Sequence, residues 1–162
     1  GLIDTPVPVA GLSAKLFSLE CVCVMHQDDP LAIKDVIHPI DLAERSIVSI
    51  TGQHTVDRQL DACLANAGVT VERYISSYFF AIARNIIAVG NDVAIVDPTN
   101  GKANLNDGVT WRPFAPRIDH EMAIITPFDQ PLGQAASGLY DLIIQSLQKL
   151  ADKSGAGYTD AE

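Results

Sequence analysis

Long apolar runs are missing from this chain. No stretch of its 162 residues approaches the roughly 20 consecutive apolar positions that a membrane helix requires. The first residues, Gly1-Leu-Ile-Asp-Thr-Pro6, lack the basic-then-apolar order of a secretory signal. The expectation is a cytoplasmic protein with no membrane partner, a secreted protein that has shed its signal being the alternative. Basic residues are also scarce, with 11 Lys and Arg against 20 Asp and Glu and a formal net charge of −9. Those present, from Lys15 to Lys153, are scattered. Binding of nucleic acid by this segment alone is therefore not expected, because a phosphate backbone rewards clustered Lys and Arg. Cysteine is limited to three residues, which cannot all pair within one chain and lack the spacing of a secreted disulfide framework. Cys21 and Cys23 with His26 resemble part of a metal site, but no second Cys/His pair completes a tetrahedral set. In an extended strand both thiols lie on one face of an apolar run, as small core residues do, so no metal is expected.

Signatures of catalysis are absent too. The chain has no G-x-S-x-G, no Walker loop, no G-x-G-x-x-G and no H-E-x-x-H, and Asp28-Asp29 before Pro30 reads as a turn. His38 and His120 have no evident catalytic partner. A non-enzymatic protein without a cofactor is expected; a hydrolase or lyase would have to pair His54 or His120 with an acid. No internal repeat of fixed period is visible. What remains is a sequence 48% hydrophobic and 19% charged, enough apolar material to fold as one domain or as two small lobes sharing strands.

Apolar periodicity sets out the elements. Residues 2–9, with Pro6 and Pro8, read as a short strand running into a turn or crossover, and Leu16 to Met25 as a longer strand broken by His26-Gln-Asp-Asp-Pro30. A short helix is expected within Leu31 to Ala43. Ile47 to Ile50 is a β-branched run suited to burial on both faces of a parallel sheet. With Thr55 as N-cap, Val56, Leu60, Cys63, Leu64 and Ala67 mark one face of a helix that Gly68 ends. A strand over Val71 to Ile75 follows. Ser76-Ser77 then caps a helix over Tyr78 to Val89, whose buried face is Phe79, Phe80, Ala83, Ile86 and Ile87. Asp92 to Asp97 is the next strand. Strand, helix, strand, helix, strand with short links is the layout of parallel α/β crossovers. Further strands are expected over Val109 to Phe114 and His120 to Thr126. A long helix spans Leu132 to Leu150, with Leu139, Leu142, Ile143, Leu147 and Leu150 on one face, and 154–162 should fray.

In open α/β sheets, ligands sit beyond the carboxyl ends of the parallel strands, where helix N-termini present unpaired N–H groups. Three such ends occur: Thr51-Gly52-Gln53-His54-Thr55, Ser76-Ser77-Tyr78-Phe79, and Asp97-Pro98-Thr99. Regular crossovers would open all three onto one edge. That edge suits a small anionic or zwitterionic molecule, with hydroxyls and helix ends for a carboxylate and Asp97 for an ammonium or guanidinium group. Each residue has a plainer reading. Thr55 and Ser77 serve as caps, Gly52 permits a turn, His54 is a surface turn residue, and Asp97 before Pro98 stops a strand.

Four segments, in order, resemble the effector-binding domain of LysR-type transcriptional regulators. They are Cys21-Val-Cys-Val-Met-His-Gln-Asp-Asp-Pro-Leu-Ala32, Pro39-Ile-Asp-Leu-Ala43, Leu60-Asp-Ala-Cys-Leu-Ala-Asn-Ala-Gly68 and Ile87-Ala-Val-Gly-Asn-Asp-Val-Ala-Ile-Val-Asp-Pro98. The last is the most specific, although Asn91-Asp92 stand where the family has Leu-Gly. The resemblance implies an α/β, type 2 periplasmic-binding-protein-like fold of two lobes, the second complete and the first partial. Its divisions would be 1–19 (partial first lobe and crossover), 20–97 (second lobe), 98–150 (return crossover and remainder of the first lobe) and 151–162 (a flexible tail). It further implies a small-molecule effector, an amino-acid-derived compound or organic acid, in an interlobe cleft formed by the residues just named. The parent protein would be a homodimer or homotetramer that reaches DNA only through a helix-turn-helix not found in these residues. A solute-binding protein of a transport system with the same lobes is the alternative.

Overall fold

A computed structural model describes residues 1–5, 11–51, 54–128, 131–153 and 158–161. The chain divides into two compact units, Gly1–Leu19 with Glu121–Glu162, and Glu20–His120.

The first unit contains a sheet in the order β1-β8-β2-β9. Its strands are β1 (Leu2–Asp4), β2 (Leu12–Glu20), β8 (Asp119–Pro127) and β9 (Tyr158–Ala161), and its helix is α4 (Gln134–Lys153). Phe17, Leu19 and Ile124 from the sheet pack with Ile144, Leu147 and Ala151 from α4. Two expectations change here. Leu139 and Leu142 are 59% and 63% exposed, because the buried stripe runs through Ile144, Leu147 and Ala151, rotated from the one expected. The tail expected to fray includes β9, which pairs antiparallel with β2 from Phe17↔Tyr158 to Ala14↔Ala161. Residues 6–9, where the opening strand was expected to run into a turn or crossover, lie outside the described residues.

The second unit is a mixed parallel and antiparallel set of strands between helices. β3 (Val22–His26) lies between β6 (Ala94–Val96) and β7 (Val109–Pro113), antiparallel to both. β7, which the sequence places in the return crossover, thus belongs to this unit. β4 (Ser49–Ile50) pairs parallel with β5 (Ser76–Ser77). A parallel bridge, Ile47↔Val93, joins the two sets, with Val48 N–H donating to Val93 O over 2.9 Å. Alternation then assigns the faces. Cys21, Cys23, Met25, Ile47, Val93 and Ile95 pack against Val56, Leu60 and Leu64 of α1 (Thr55–Asn66). Val22, Val24, Val48, Ile50, Ala94 and Val96 pack against Ala83 and Ile87 of α2 (Phe80–Ile87). Burial on both faces explains why the strands read as unbroken apolar runs. Each large aliphatic side chain so buried is worth roughly 1.5–3 kcal/mol.

Several boundaries differ from the sequence reading. The single strand expected over Leu16 to Met25 is two, β2 and β3, interrupted at Cys21 where the chain leaves one sheet for another. The helix expected within Leu31 to Ala43 is a pair of 3-10 turns, Pro30–Ile33 and Pro39–Leu42, each begun by a proline. Val71 to Ile75 contributes only a bridge at Glu72, and the strand proper falls on Ser76–Ser77. Phe79 is 66% exposed, while Arg84, expected on no apolar face, is 2% exposed. Its guanidinium donates to Asp107 Oδ1 at 2.9 Å and Ala103 O at 3.0 Å.

Candidate functional site

β4, β5 and the Val93–Val96 strand run parallel, so their carboxyl ends reach one edge of the second unit. Thr51, Ser77 and Asp97 follow at that edge, and Thr51 N–H donates to Ser77 O at 2.8 Å. Gly52 and Gln53 lie outside the described residues. The α1 cap is His54, one position before the expected Thr55: its Nδ1 accepts from Val56 N–H at 3.3 Å, and Thr55 is the first helical residue. An imidazole replaces the usual hydroxyl or carboxylate acceptor, which is why residue preferences favoured Thr55.

Ser77 is buried, and its hydroxyl donates to Phe79 O at 2.9 Å, forming a local turn before α2. Among the described residues, no side chain caps the start of α2. Its first-turn donors follow Ser76 and the rings of Tyr78 and Phe79, which are 79% and 66% exposed. Asp97 is buried and occupied. Oδ1 accepts from Thr99 N–H at 2.8 Å and Asn100 N–H at 3.2 Å, and Oδ2 from Asn100 Nδ2 at 2.6 Å. It caps the short helix α3 (Pro98–Gly101), with Pro98 buried and Thr99 exposed.

Other groups gather here without a signal from local sequence. The rings of His54, Phe80 and His120 form a cluster with centroids 5.0–5.5 Å apart. Asp57, in the first turn of α1, accepts from Ile50 N–H at 3.2 Å. Arg73 donates to Asp57 Oδ2 at 2.8 Å, Asp61 Oδ1 at 2.5 Å and Ser49 Oγ at 2.9 Å. Burial pushes the Asp57 carboxyl above the ordinary value of 3.8, outweighing Arg73 and the Ile50 N–H, which pull it down. The partners come from separate elements, 16 residues apart in the case of Arg73 and Asp57, so no single window of sequence reveals the network.

The cysteines are core residues. Cys21 and Cys23 are fully buried, and burial raises both thiols, Cys23 to about 12. Burial also raises the Cys63 thiol. Away from this edge, the first unit has an apolar groove of about 220 Å³, lined by residues including Leu2, Ile124, Leu132, Leu139, Tyr140 and Ile143. No helix among the described residues is long and apolar enough to cross a membrane.

Comparison with known proteins agrees with this architecture. The chain is 27% identical over 150 residues to the regulatory protein NocR of Agrobacterium tumefaciens (strain T37), covering 93% of this chain and 47% of that protein. The chain thus spans about half the length of this curated relative. Among solved structures it resembles the CcmR regulatory domain of Synechocystis PCC6803 in complex with 2-PG, with TM-score 0.69, 13% identity and coverage of 91% of this chain and 72% of that one. It also resembles the effector binding domain of QuiR in complex with shikimate, with TM-score 0.65, 14% identity and coverage of 91% and 71%. The fold is accordingly the α/β, periplasmic-binding-protein-like one of LysR regulatory domains. The sequence model described as LysR substrate binding domain matches residues 1–148, and the chain belongs to that family.

Proposed function

We propose that this chain is the effector-sensing domain of a LysR-type transcriptional regulator and takes a small carboxylate or amino-acid-derived metabolite at the strand-end edge of its second unit. The observation that carries the reading is the convergence of three parallel strand ends on one edge in a chain of this family. The uncapped first turn of α2 supplies donors for a carboxylate, and Tyr78 and Phe79 supply exposed ring faces beside it. Thr51, His54 and Thr55 form a second wall and Pro98 and Thr99 a third. Asp97 supports that third wall through its cap. Such a molecule would act as the effector. In the parent protein, its differential affinity for two arrangements would shift their populations and so alter DNA engagement by a separate helix-turn-helix. The parent would act as a homodimer or homotetramer.

A thermal-shift screen of the full chain with L-arginine, L-lysine, an opine, shikimate and 2-PG tests the reading. Stabilisation by a member of this set, lost in Thr55→Ala with the unliganded midpoint unchanged, is the expected result. A chain that responds to none of them, or whose response survives both Thr55→Ala and Tyr78→Ala, refutes it.

A further inference from the structure

We propose that Arg73, outside the ligand-facing residues, sets the charge and position of the α1 wall and thereby selects for anionic ligands; this rests on the function proposed above. Asp57 and Asp61 place two carboxylates along α1, the first in the turn that opens toward the strand-end edge. Left unopposed, they would repel an incoming carboxylate and cancel the attraction of the helix end. The guanidinium of Arg73 meets both, at 2.8 Å and 2.5 Å. It also fixes geometry, because it donates to Ser49 Oγ in β4 while Asp57 accepts from Ile50 N–H of the same strand. The end of β4 and the first turn of α1, on either side of the wall of Thr51, His54 and Thr55, are therefore tied together through one positioning residue. Arg73 is a quarter exposed and Asp57 less than a fifth, so the pair is screened less than a surface ion pair.

The arrangement fixes the order of affinities among charge variants. With two carboxylates against one guanidinium, the native set carries a single net negative charge. Arg73→Gln doubles it, Asp57→Asn removes it while keeping an oxygen for Ile50 N–H, and the double variant returns it to the native value. Acetate is the probe, with acetamide as the uncharged control of similar shape. Titration of the isotope-labelled full chain is followed at the amides of Thr51, Thr55 and Phe79.

The expected result is acetate binding weakened about threefold to tenfold by Arg73→Gln, strengthened by a similar factor in Asp57→Asn, and near native in the double variant, each step shrinking as salt is raised. Acetamide should show no such order. A purely structural role would weaken binding in both single variants and would not be relieved in the double one, and that result overturns the proposal. Should Arg73→Gln fail to fold, Asp57→Asn decides alone, since unchanged or weaker acetate binding there is contrary to the charge order. If acetate leaves all three amides of the native chain unmoved, the edge is not a carboxylate site, and the proposed function falls first. If acetate binds and Thr55→Ala weakens it while the charge variants do not, only the role of Arg73 falls.

Discussion

Replacing Asp97 by alanine should damage the fold before it damages any binding. The native carboxylate, 5% exposed, receives three hydrogen bonds, from Thr99 N–H, Asn100 N–H and Asn100 Nδ2. Loss of an N-cap acceptor costs about 1 kcal/mol, and each buried donor left without a partner adds roughly 1–3 kcal/mol. Water can reach the exposed Thr99 and relieve part of this, so the sum is about 3 kcal/mol. Asp97→Asn keeps one acceptor oxygen but turns an NH2 group toward a donor, which should cost about half as much. Equilibrium urea unfolding, read by the fluorescence of Trp111 in β7 of the same unit, measures both variants. Slopes should stay constant while midpoints fall in the order native, Asn, Ala. An Asp97→Ala variant within about 0.5 kcal/mol of native that had lost affinity for a ligand ammonium group would refute the capping role and restore a direct one.

Three further outcomes follow from the same physics. Asp107→Ala leaves the buried Arg84 guanidinium without its carboxylate and should destabilise the chain by about 2–3 kcal/mol in urea, at the low end of buried-pair losses because Asp107 is itself 23% exposed; an effect below about 0.5 kcal/mol would contradict it. For Asp57 the native carboxyl is raised above 3.8, so the folded state holds its proton more tightly than the unfolded chain. The stability it adds is fully present below the unfolded value and is lost as pH rises through the folded one. Urea midpoints from about pH 3 to about pH 6 should therefore fall more steeply, or rise less, in the native chain than in Asp57→Asn, and parallel curves would exclude the raised value. In the folded protein only Cys63, half-buried, should react readily with a thiol reagent, with Cys21 and Cys23 reacting on unfolding; fast labelling of all three would show that the β3 core opens.

The family was legible as a resemblance carried by four segments, above all Ile87 to Pro98, and the α/β core was legible because β-branched runs and helical spacing are local properties of Ile47 to Ile50, Val56 to Ala67 and Val93 to Val96. Features that depend on distant partners were not. The apolar run through Cys21 continues without interruption in composition, yet the chain changes sheets there, and nothing local marks the passage. Nothing local marks Arg84 as buried, because its partner Asp107 lies 23 residues onward. Phe79 reads as core because it stands four residues before Ala83 and eight before Ile87, but it is the extended N-cap residue of α2, so helical spacing does not carry its ring onto the buried stripe. At the site, His54 displaced Thr55 as the cap because an imidazole nitrogen can accept the same bond a hydroxyl would. Asp97, expected as the last residue of its strand, follows β6 instead, and its carboxylate turns to its own helix, where it accepts from Thr99 and Asn100.

The most direct test of the account is a crystal structure of the chain with whichever screened carboxylate stabilises it. The carboxylate is expected against the first turn of α2, with contacts from Tyr78 or Phe79 and from Thr51, His54 or Thr55. A ligand found instead in the apolar groove of the first unit, between Leu2, Ile124 and Tyr140, with the strand-end edge empty, would contradict it.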